Sequence, residues 1–200
     1  MIISDEIITW ERSKEIIETN ALAELYRNFS ETARYGEFKL KVKANGSTVV
    51  NEIIRERLQW VNKDGSFALT PKSNELFTYE KDVKIITNDF PYNFEDSITH
   101  FVVWSKVIIE SDPNSDIGDV DDLTKEIINT YVYKSFVEAL GLSKDQVIWF
   151  RNFPAIQSVK ELSHIHVLIK DLDTKHFSKI IGTPGVVLSK DEIASLKKSF

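Results

Sequence analysis

The stretch that most constrains the fold is residues 163–170, SHIHVLIK, in which two histidines alternate with apolar residues. Successive side chains of a β-strand point to opposite faces, so His164 and His166 share one face while Ile165 and Val167 share the other. The strand therefore needs a core on one side and carries paired imidazoles on the other. Neutral imidazole is a nucleophile and a proton shuttle, which makes both histidines candidate catalytic residues. The alternative is that both are structural.

The first part of the chain has the apolar spacing of helices. This spacing predicts a helical run over residues 4–44, capped at Ser4 or Asp5 and broken near residue 20. It also predicts an amphipathic helix over residues 47–60, with Ser47 as its cap. The charged residues in and near these helices are interpreted as a solvated face; they are Lys39, Lys41, Lys43, Arg55 and Arg57.

The second part of the chain reads as short strands separated by loops and helices. The predicted strands are 83–87, 98–108, 147–150 and 163–170, and the predicted helices are a long one over 119–140 and a final one that begins at a capping box of Ser189 and Glu192.

These elements predict an α+β fold, in which a helical N-terminal region packs on an antiparallel sheet. A polar stretch around Pro71 separates the two parts, so we divide the chain into a helical region, 1–75, and an α+β domain, 76–200, that together form one compact unit.

Composition narrows the partners and the cellular locations that are expected for the protein. A net charge of −6 over 200 residues argues against a nucleic-acid partner, because binding to phosphate backbones needs a concentrated positive surface. The absence of cysteine excludes disulfides and thiol chemistry and fits the cytoplasm or the nucleus. No apolar stretch reaches the length of a signal peptide or a membrane span, so neither secretion nor a membrane partner is expected.

Two segments resemble the histidine-triad nucleotide-binding superfamily. The first contains NDFP at residues 88–91 and THFVVWSK at 99–106, and the second contains QSV at 157–159 and HIHV at 164–167. The order of these motifs, with a long helix between the segments, is similar to that of the superfamily. The resemblance implies a sheet-and-helix arrangement like that of histidine-triad proteins.

The resemblance also implies roles for single residues. In that superfamily an Asp of the early loop holds a ribose, the Ser of the QSV segment contacts phosphate, and the middle histidine attacks the α-phosphate. By position these roles fall on Asp89, Ser158 and His164, with His166 as the third histidine. Leu162 takes the place of the first histidine, so a catalyst and a binder that has lost catalysis both stay open.

Longer stretches show a second resemblance, over nearly the whole chain. They are RERLQW at residues 55–60, NDFPYNFEDSITHFVVWSK at 88–106 and WFRNFPAIQSVKELSHIHVLIK at 149–170. They resemble a fungal family of uncharacterised proteins that includes the N-acetylglucosamine-induced protein of yeasts such as Candida. The resemblance implies a cytoplasmic protein, with the nucleus as an alternative location, that is linked to the response to amino sugars and cell-wall chitin.

We predict that polar side chains converge beside the histidine strand if the two long strands are neighbours. The predicted ligand-binding residues are Asn88, Asp89, His100, Gln157 and Ser158. Trp104 and Trp149 are interpreted as core residues, and Arg151 with Asn152 as a surface pair. A metal site of His100, His164 and His166 would supply three nitrogen ligands. No carboxylate spacing supports it, so neither a metal nor another cofactor is predicted.

The leading prediction for function is a nucleotide or sugar-phosphate pocket on the His-x-His strand, in a phosphate-ester hydrolase or transferase or in a degenerate binder. The rival is a non-catalytic regulatory or adaptor protein, whose histidines are structural and whose ligand is a protein partner. In that case the exposed side of the helix over residues 47–60 is the expected docking surface.

Overall fold

A four-stranded antiparallel sheet is the centre of the protein, whose computed structural model describes residues 2–200. The strands are β1 (Val83–Thr87), β2 (Ile98–Ser105), β3 (Val147–Phe150) and β4 (Ser163–Lys170), in the order β1-β2-β4-β3. β2 and β4 pair along their whole length. The two long strands are therefore neighbours, which is the arrangement that the predicted site requires.

Helices precede the sheet and connect its strands. Those described are α1 (Trp10–Glu18), α2 (Phe29–Ala44), α3 (Val49–Glu52), α4 (Asp122–Val132), α5 (Thr174–Ile180) and α6 (Lys190–Lys197). α3 and α4 continue as π-helical segments, Ile53–Leu58 and Tyr133–Glu138. The α+β prediction is confirmed. Between residues 2 and 200, none of the helices has the length and apolar character needed to cross a bilayer.

One face of the sheet is covered by α4, α5 and α6. Phe101, Val103, Ile165 and Val167 point to this face because they alternate with the histidines and their neighbours along β2 and β4. They form one buried cluster with residues of α4 and its π-helical segment, such as Phe136. This is the core that the alternation in SHIHVLIK predicts.

The opposite face of the sheet is covered by the N-terminal helices. Leu58 belongs to a buried cluster with Trp104 of β2, and Trp10 of α1 belongs to a second cluster with Leu168 of β4. A helical N-terminal region packed on the sheet is therefore confirmed. Both clusters combine residues from before and after position 75, and the division of the chain at that point stays a prediction.

The first helix begins later than the sequence predicts. Its cap is Thr9, whose hydroxyl accepts a hydrogen bond from the backbone N–H of Arg12 at 3.2 Å, so Ser4 and Asp5 were the wrong residues. The preceding segment is extended because it pairs with other backbone, at Ile3 with Arg27 and at Ile8 with Phe94. Long-range pairing of this kind leaves no local signal in the sequence.

Two other boundaries shift by a few residues. The helix predicted over 47–60 is capped by Thr48, not Ser47, since the Thr48 hydroxyl accepts the N–H of Asn51 at 3.2 Å. Strand β2 ends at Ser105, not at residue 108, because the Ser105 hydroxyl hydrogen-bonds both backbone groups of Val107 and turns the chain. The capping box of the final helix is confirmed.

Candidate functional site

A cavity of about 380 Å³ lies between the histidine face of the sheet and the N-terminal helices. Its floor consists of the buried lining residues, and its rim consists of the charged and polar lining residues that are partly or fully exposed. The polar and aromatic members of the floor are Arg27, Trp104, Asn152, His164 and His166. The rim includes Arg34, Glu56, Asp89 and Ser158.

The register of the sheet explains why these side chains meet. His164 pairs with Trp104 across β4 and β2, and His166 pairs with Phe150 of β3 on its other side. Directly paired residues project on the same face, so the histidines lie among aromatic rings. The ring centroids of Trp104 and His164 are 4.5 Å apart, and those of Phe150 and His166 are stacked at 4.7 Å.

Both ring nitrogens of His166 are occupied. The side-chain amide of Asn152 donates to Nε2 of His166 at 3.3 Å, and Nδ1 of His166 lies 2.9 Å from Nε2 of His100. With Nε2 as an acceptor, the proton of neutral His166 is on Nδ1 and is donated to His100. The same Asn152 amide donates to the hydroxyl of Tyr92 at 3.0 Å. This network holds the His166 ring in one orientation.

His164 has one ring nitrogen that faces no protein partner. Its Nδ1–H donates to the backbone carbonyl of Leu162 at 2.9 Å, so the lone pair of the neutral ring is on Nε2. Among residues 2–200, no hydrogen bond to this Nε2 is found. The lone pair is therefore free for a ligand in the cavity that His164 lines.

All three buried histidines are held neutral. Burial, together with a smaller effect of the charge of Arg27, lowers the pKa of His100 to about 3. Burial also lowers the pKa of His164, and it lowers the pKa of His166 well below its usual value with help from His100, His164 and Arg27. At neutral pH these imidazoles offer lone pairs and N–H groups but no positive charge.

Arginines supply the positive charge of the cavity. Arg27 lies on the floor and is 8% exposed. On the rim, Arg57 forms an ion pair with Asp89 at 2.8 Å, and Arg34 forms one with Glu31 at 2.6 Å. Partial burial raises the pKa of Asp89, while Arg57 and Arg34 oppose that shift.

The structure brings most of the predicted site residues to one cavity. Asn88, Asp89, Ser158, His164 and His166 line it. Two predicted residues are not among its lining residues. His100 lies behind His166 as a hydrogen-bond partner, with the Asn88 amide 3.4 Å from its Nε2, and Gln157 donates to the backbone carbonyl of Asn152 at 2.7 Å.

Several site residues were misjudged from the sequence. Asn152 is 4% exposed and belongs to the histidine network, so its interpretation as part of a surface pair was wrong. Arg57 was interpreted as part of a solvated face, but it lines the cavity. Trp104 is a core residue, as interpreted, and also lines the cavity. The sequence gives no indication of Arg27, because a single arginine in the short segment before α2 carries no local pattern.

The described residues contain no metal-binding cluster. Within residues 2–200, no group of three His, Cys, Asp or Glu side chains is placed to hold a metal ion. His100 and His166 are not placed to bind a metal together, because each uses a ring nitrogen in their mutual hydrogen bond. These lone pairs and N–H groups are already engaged within the protein.

Fold and site together define an α+β protein with a histidine-floored, arginine-bearing cavity between its sheet and its N-terminal helices. A family model described as "Protein of unknown function (DUF3605)" matches residues 9–170. The match covers most of the chain, including the cavity, and the chain belongs to this family.

The relatives are fungal proteins. The chain is 35% identical to N-acetylglucosamine-induced protein 1 of Candida albicans over 94% of this chain and 79% of the relative. It is 32% identical to an uncharacterised protein of Saccharomyces cerevisiae over 80% of this chain and 77% of the relative. The crystal structure of a protein named HTC1 matches with a TM-score of 0.65 and 28% identity, over 96% of this chain and 94% of that one. The resemblance to the histidine-triad superfamily stays a prediction.

Proposed function

We propose that the cavity binds a nucleotide or a sugar phosphate, and that His164 acts on its phosphorus as a nucleophile. The observation that supports this best is the free Nε2 of His164, which lines a cavity while Nδ1–H is held by the Leu162 carbonyl. A nucleophilic histidine must be neutral, with its second nitrogen oriented by an acceptor. His164 meets both conditions, since burial lowers its pKa.

The residues around His164 have matching roles in this proposal. His166, fixed by His100 and Asn152, forms the floor beside His164, with ring centroids 5.3 Å apart. Asp89 and Ser158 lie at the rim, where a carboxylate accepts from sugar hydroxyls and a serine hydroxyl donates to a sugar oxygen. Aromatic rings of Phe38 and Phe90 line the wall and suit a flat base or a sugar ring.

The proposed reaction has two steps. Nε2 of His164 attacks phosphorus, and the bond to the leaving alcohol oxygen breaks with its electron pair, after which that oxygen takes a proton from water. A second water then attacks phosphorus and gives its proton to the hydroxide left by the first water, the phosphorus–nitrogen bond breaks, and its electron pair returns to Nε2. The sum is hydrolysis of one phosphate ester. An acceptor alcohol in place of the second water gives group transfer instead.

The similarity to N-acetylglucosamine-induced protein 1 suggests a biological setting. We propose that this protein takes part in a fungal response to amino sugars, with a phosphorylated or nucleotide-linked sugar as its ligand. The proposal extends what the relative's name says of that protein, and it selects the compounds for a binding screen.

Thermal unfolding with a ligand panel tests the proposal. The panel is AMP, UDP-N-acetylglucosamine and N-acetylglucosamine 6-phosphate, added to the wild type, to His164→Ala and to His176→Ala as a control outside the cavity. Ligand at 100 times its dissociation constant stabilises by about 2.7 kcal/mol, which raises the unfolding temperature of a protein of this size by roughly 5–10 °C. We expect ligand to raise the unfolding temperature of the wild type and of the control. We also expect both to release product when incubated with the ligand, and His164→Ala to release none.

The outcomes separate the proposal from its rival. A shift without turnover indicates a binder that has lost catalysis, in line with Leu162 at the place of a histidine. Equal turnover in His164→Ala and the wild type contradicts the nucleophile. A panel without any shift favours the adaptor hypothesis and directs attention to protein partners.

A further inference from the structure

We infer that Arg27 is the anion-binding residue of the cavity, and that a ligand enters with its phosphate group towards the buried floor. The inference rests on the proposed function, because it names the residue that recognises the charged end of the ligand. Arg27 lies between α1 and α2, far from the segments that carry the histidines. It therefore couples the N-terminal region to the chemistry of the sheet.

The first argument is the unbalanced charge of Arg27. The side chain is 8% exposed, and among residues 2–200 no carboxylate lies within 4 Å of it. The buried lining of the cavity contains no Asp or Glu in the described part of the chain. With the histidines neutral, Arg27 is the single formal charge of the floor. A buried charge without a counterion is costly, and a bound anion removes that cost.

The second argument is the way in which Arg27 is held. Its Nε–H donates to the backbone carbonyl of Phe90 at 2.8 Å. The guanidinium carbon lies 5.0 Å from the ring centroid of Tyr35 and 5.4 Å from that of Tyr92. These contacts fix the plane of the guanidinium and leave both Nη groups without a hydrogen-bond acceptor in the described chain. Two parallel N–H donors of this kind match two oxygens of a phosphate.

A third argument comes from buried polar atoms that lack partners. Trp104 and Asn152 line the cavity, and Nε1–H of Trp104 and Oδ1 of Asn152 are buried and have no hydrogen-bond partner in the described residues. Both side chains are more than nine-tenths buried. Unsatisfied buried groups are rare in folded proteins and indicate a missing partner. The indole N–H adds a donor for a phosphate oxygen at the floor.

The orientation of the ligand follows from the rim. Arg57 and Arg34 are already neutralised by Asp89 and Glu31, at 2.8 Å and 2.6 Å. The rim also carries the carboxylates of Glu52 and Glu56. A phosphate at the rim would meet these acids, whereas at the floor it meets Arg27. The sugar or base is therefore placed outward, beside the carboxylates and the aromatic wall.

Calorimetric titration of the wild type and three variants tests the inference. The probes are inorganic pyrophosphate, AMP and N-acetylglucosamine 6-phosphate, with adenosine and N-acetylglucosamine as their uncharged counterparts. Arg27→Gln is compared with the wild type, with Arg27→Lys and with Arg55→Gln, which removes an exposed arginine outside the cavity. We expect at least one phosphorylated probe to bind the wild type. Arg27→Gln should weaken it about 100-fold, while Arg55→Gln leaves it unchanged.

Unliganded stability separates binding from folding. Because Arg27 lacks a counterion, Arg27→Gln is expected to unfold at the same temperature as the wild type or higher. Arg27→Lys keeps the charge and should retain part of the affinity. A collapse of both variants in the absence of ligand identifies a structural role and overturns the inference.

The remaining outcomes distinguish the inference from the proposed function. If Arg27→Gln keeps its affinity for phosphate and His164→Ala loses it, the role of Arg27 is overturned and the proposed site at His164 is retained. Equal binding of charged and uncharged probes to the wild type also overturns it, while keeping the cavity as a ligand site. Absence of binding by every probe overturns the inference and the proposed function together.

Discussion

His164 and His166 differ in what surrounds their rings, although they lie two residues apart on one face of β4. Each nitrogen of His166 has a protein partner, whereas His164 has a carbonyl on Nδ1 and a cavity on Nε2. The sequence pattern treats the two as equivalent. The histidine-triad resemblance predicts different roles for them, and the structure supplies a physical reason, since Phe150 pairs with His166 and Asn152 hydrogen-bonds its ring.

At the residue scale, the lowered pKa values of the histidines predict how stability depends on pH. The unfolded chain protonates these histidines near pH 6.5, whereas in the folded state His100 stays neutral down to about pH 3. The unfolded state therefore binds more protons below pH 6.5, and stability falls as the pH decreases. We expect a loss of about 1.4 kcal/mol per pH unit for each histidine that remains neutral.

Urea unfolding at intervals between pH 7.5 and 5.5 measures this slope. The window lies above the usual pKa of Asp and Glu, so histidines dominate it. His164→Gln should lose part of the slope and keep the rest, which belongs to His100 and His166. A free energy of unfolding that stays constant across the window would show that the three rings are not held neutral.

The site residues that could be predicted from the sequence lie in or next to strands with a recognisable local pattern. His164, His166 and Asp89 stand in or beside strands whose alternation or loop composition indicates a site. Arg27 and Asn152 gain their importance from partners that are distant along the chain, such as Phe90 and His166. Nothing in the neighbouring sequence encodes those contacts.

At the element scale, strand positions follow the sequence more closely than helix ends do. β1, β3 and β4 begin and end at the residues that the sequence predicts. The helix over residues 47–60 is found, but a competition between two adjacent hydroxyl residues decides its cap. Thr48 has the extended backbone of a cap, with φ −123° and ψ 157°, and its hydroxyl accepts from the N–H of Asn51.

This difference predicts unequal effects of two neighbouring substitutions on the free energy of unfolding. Thr48→Ala removes the cap and should lower the free energy of unfolding by about 1 kcal/mol. Ser47→Ala should change it by less than about 0.5 kcal/mol, since in the described chain the Ser47 side chain forms no hydrogen bond. Chemical denaturation of both variants and of Thr48→Ser provides the measurement. A larger loss of unfolding free energy in Ser47→Ala than in Thr48→Ala would show that Ser47 is the cap, as the sequence predicts.

At the scale of the whole molecule, the sheet needs helices packed on both of its faces. The face opposite the histidines is buried by helices that follow or connect the strands. The histidine face is buried by α1 and by the segment Val49–Leu58, which precede every strand. The cavity lies where these N-terminal helices leave a gap, so the site exists only in the complete assembly of both parts.

The division of the chain at residue 75 can be tested by separating the two parts. Residues 76–200 alone would expose Val102, Trp104 and Leu168, each of which is at most 5% exposed in the whole chain. Loss of this much apolar burial should prevent a cooperative fold. We expect the fragment to bind a hydrophobic dye and to lack a sharp urea transition. The whole chain should unfold in one transition that coincides by circular dichroism and tryptophan fluorescence.

Mixing the fragments supplies the control for that experiment. If the N-terminal helices act only by covering the histidine face, residues 1–75 added to residues 76–200 should restore a cooperative transition, because the missing apolar contacts return. Arg27 returns with the first fragment, so phosphate binding should reappear in the mixture as well. A fragment 76–200 that folds cooperatively and binds phosphate alone would show that the sheet and its histidines form a complete domain.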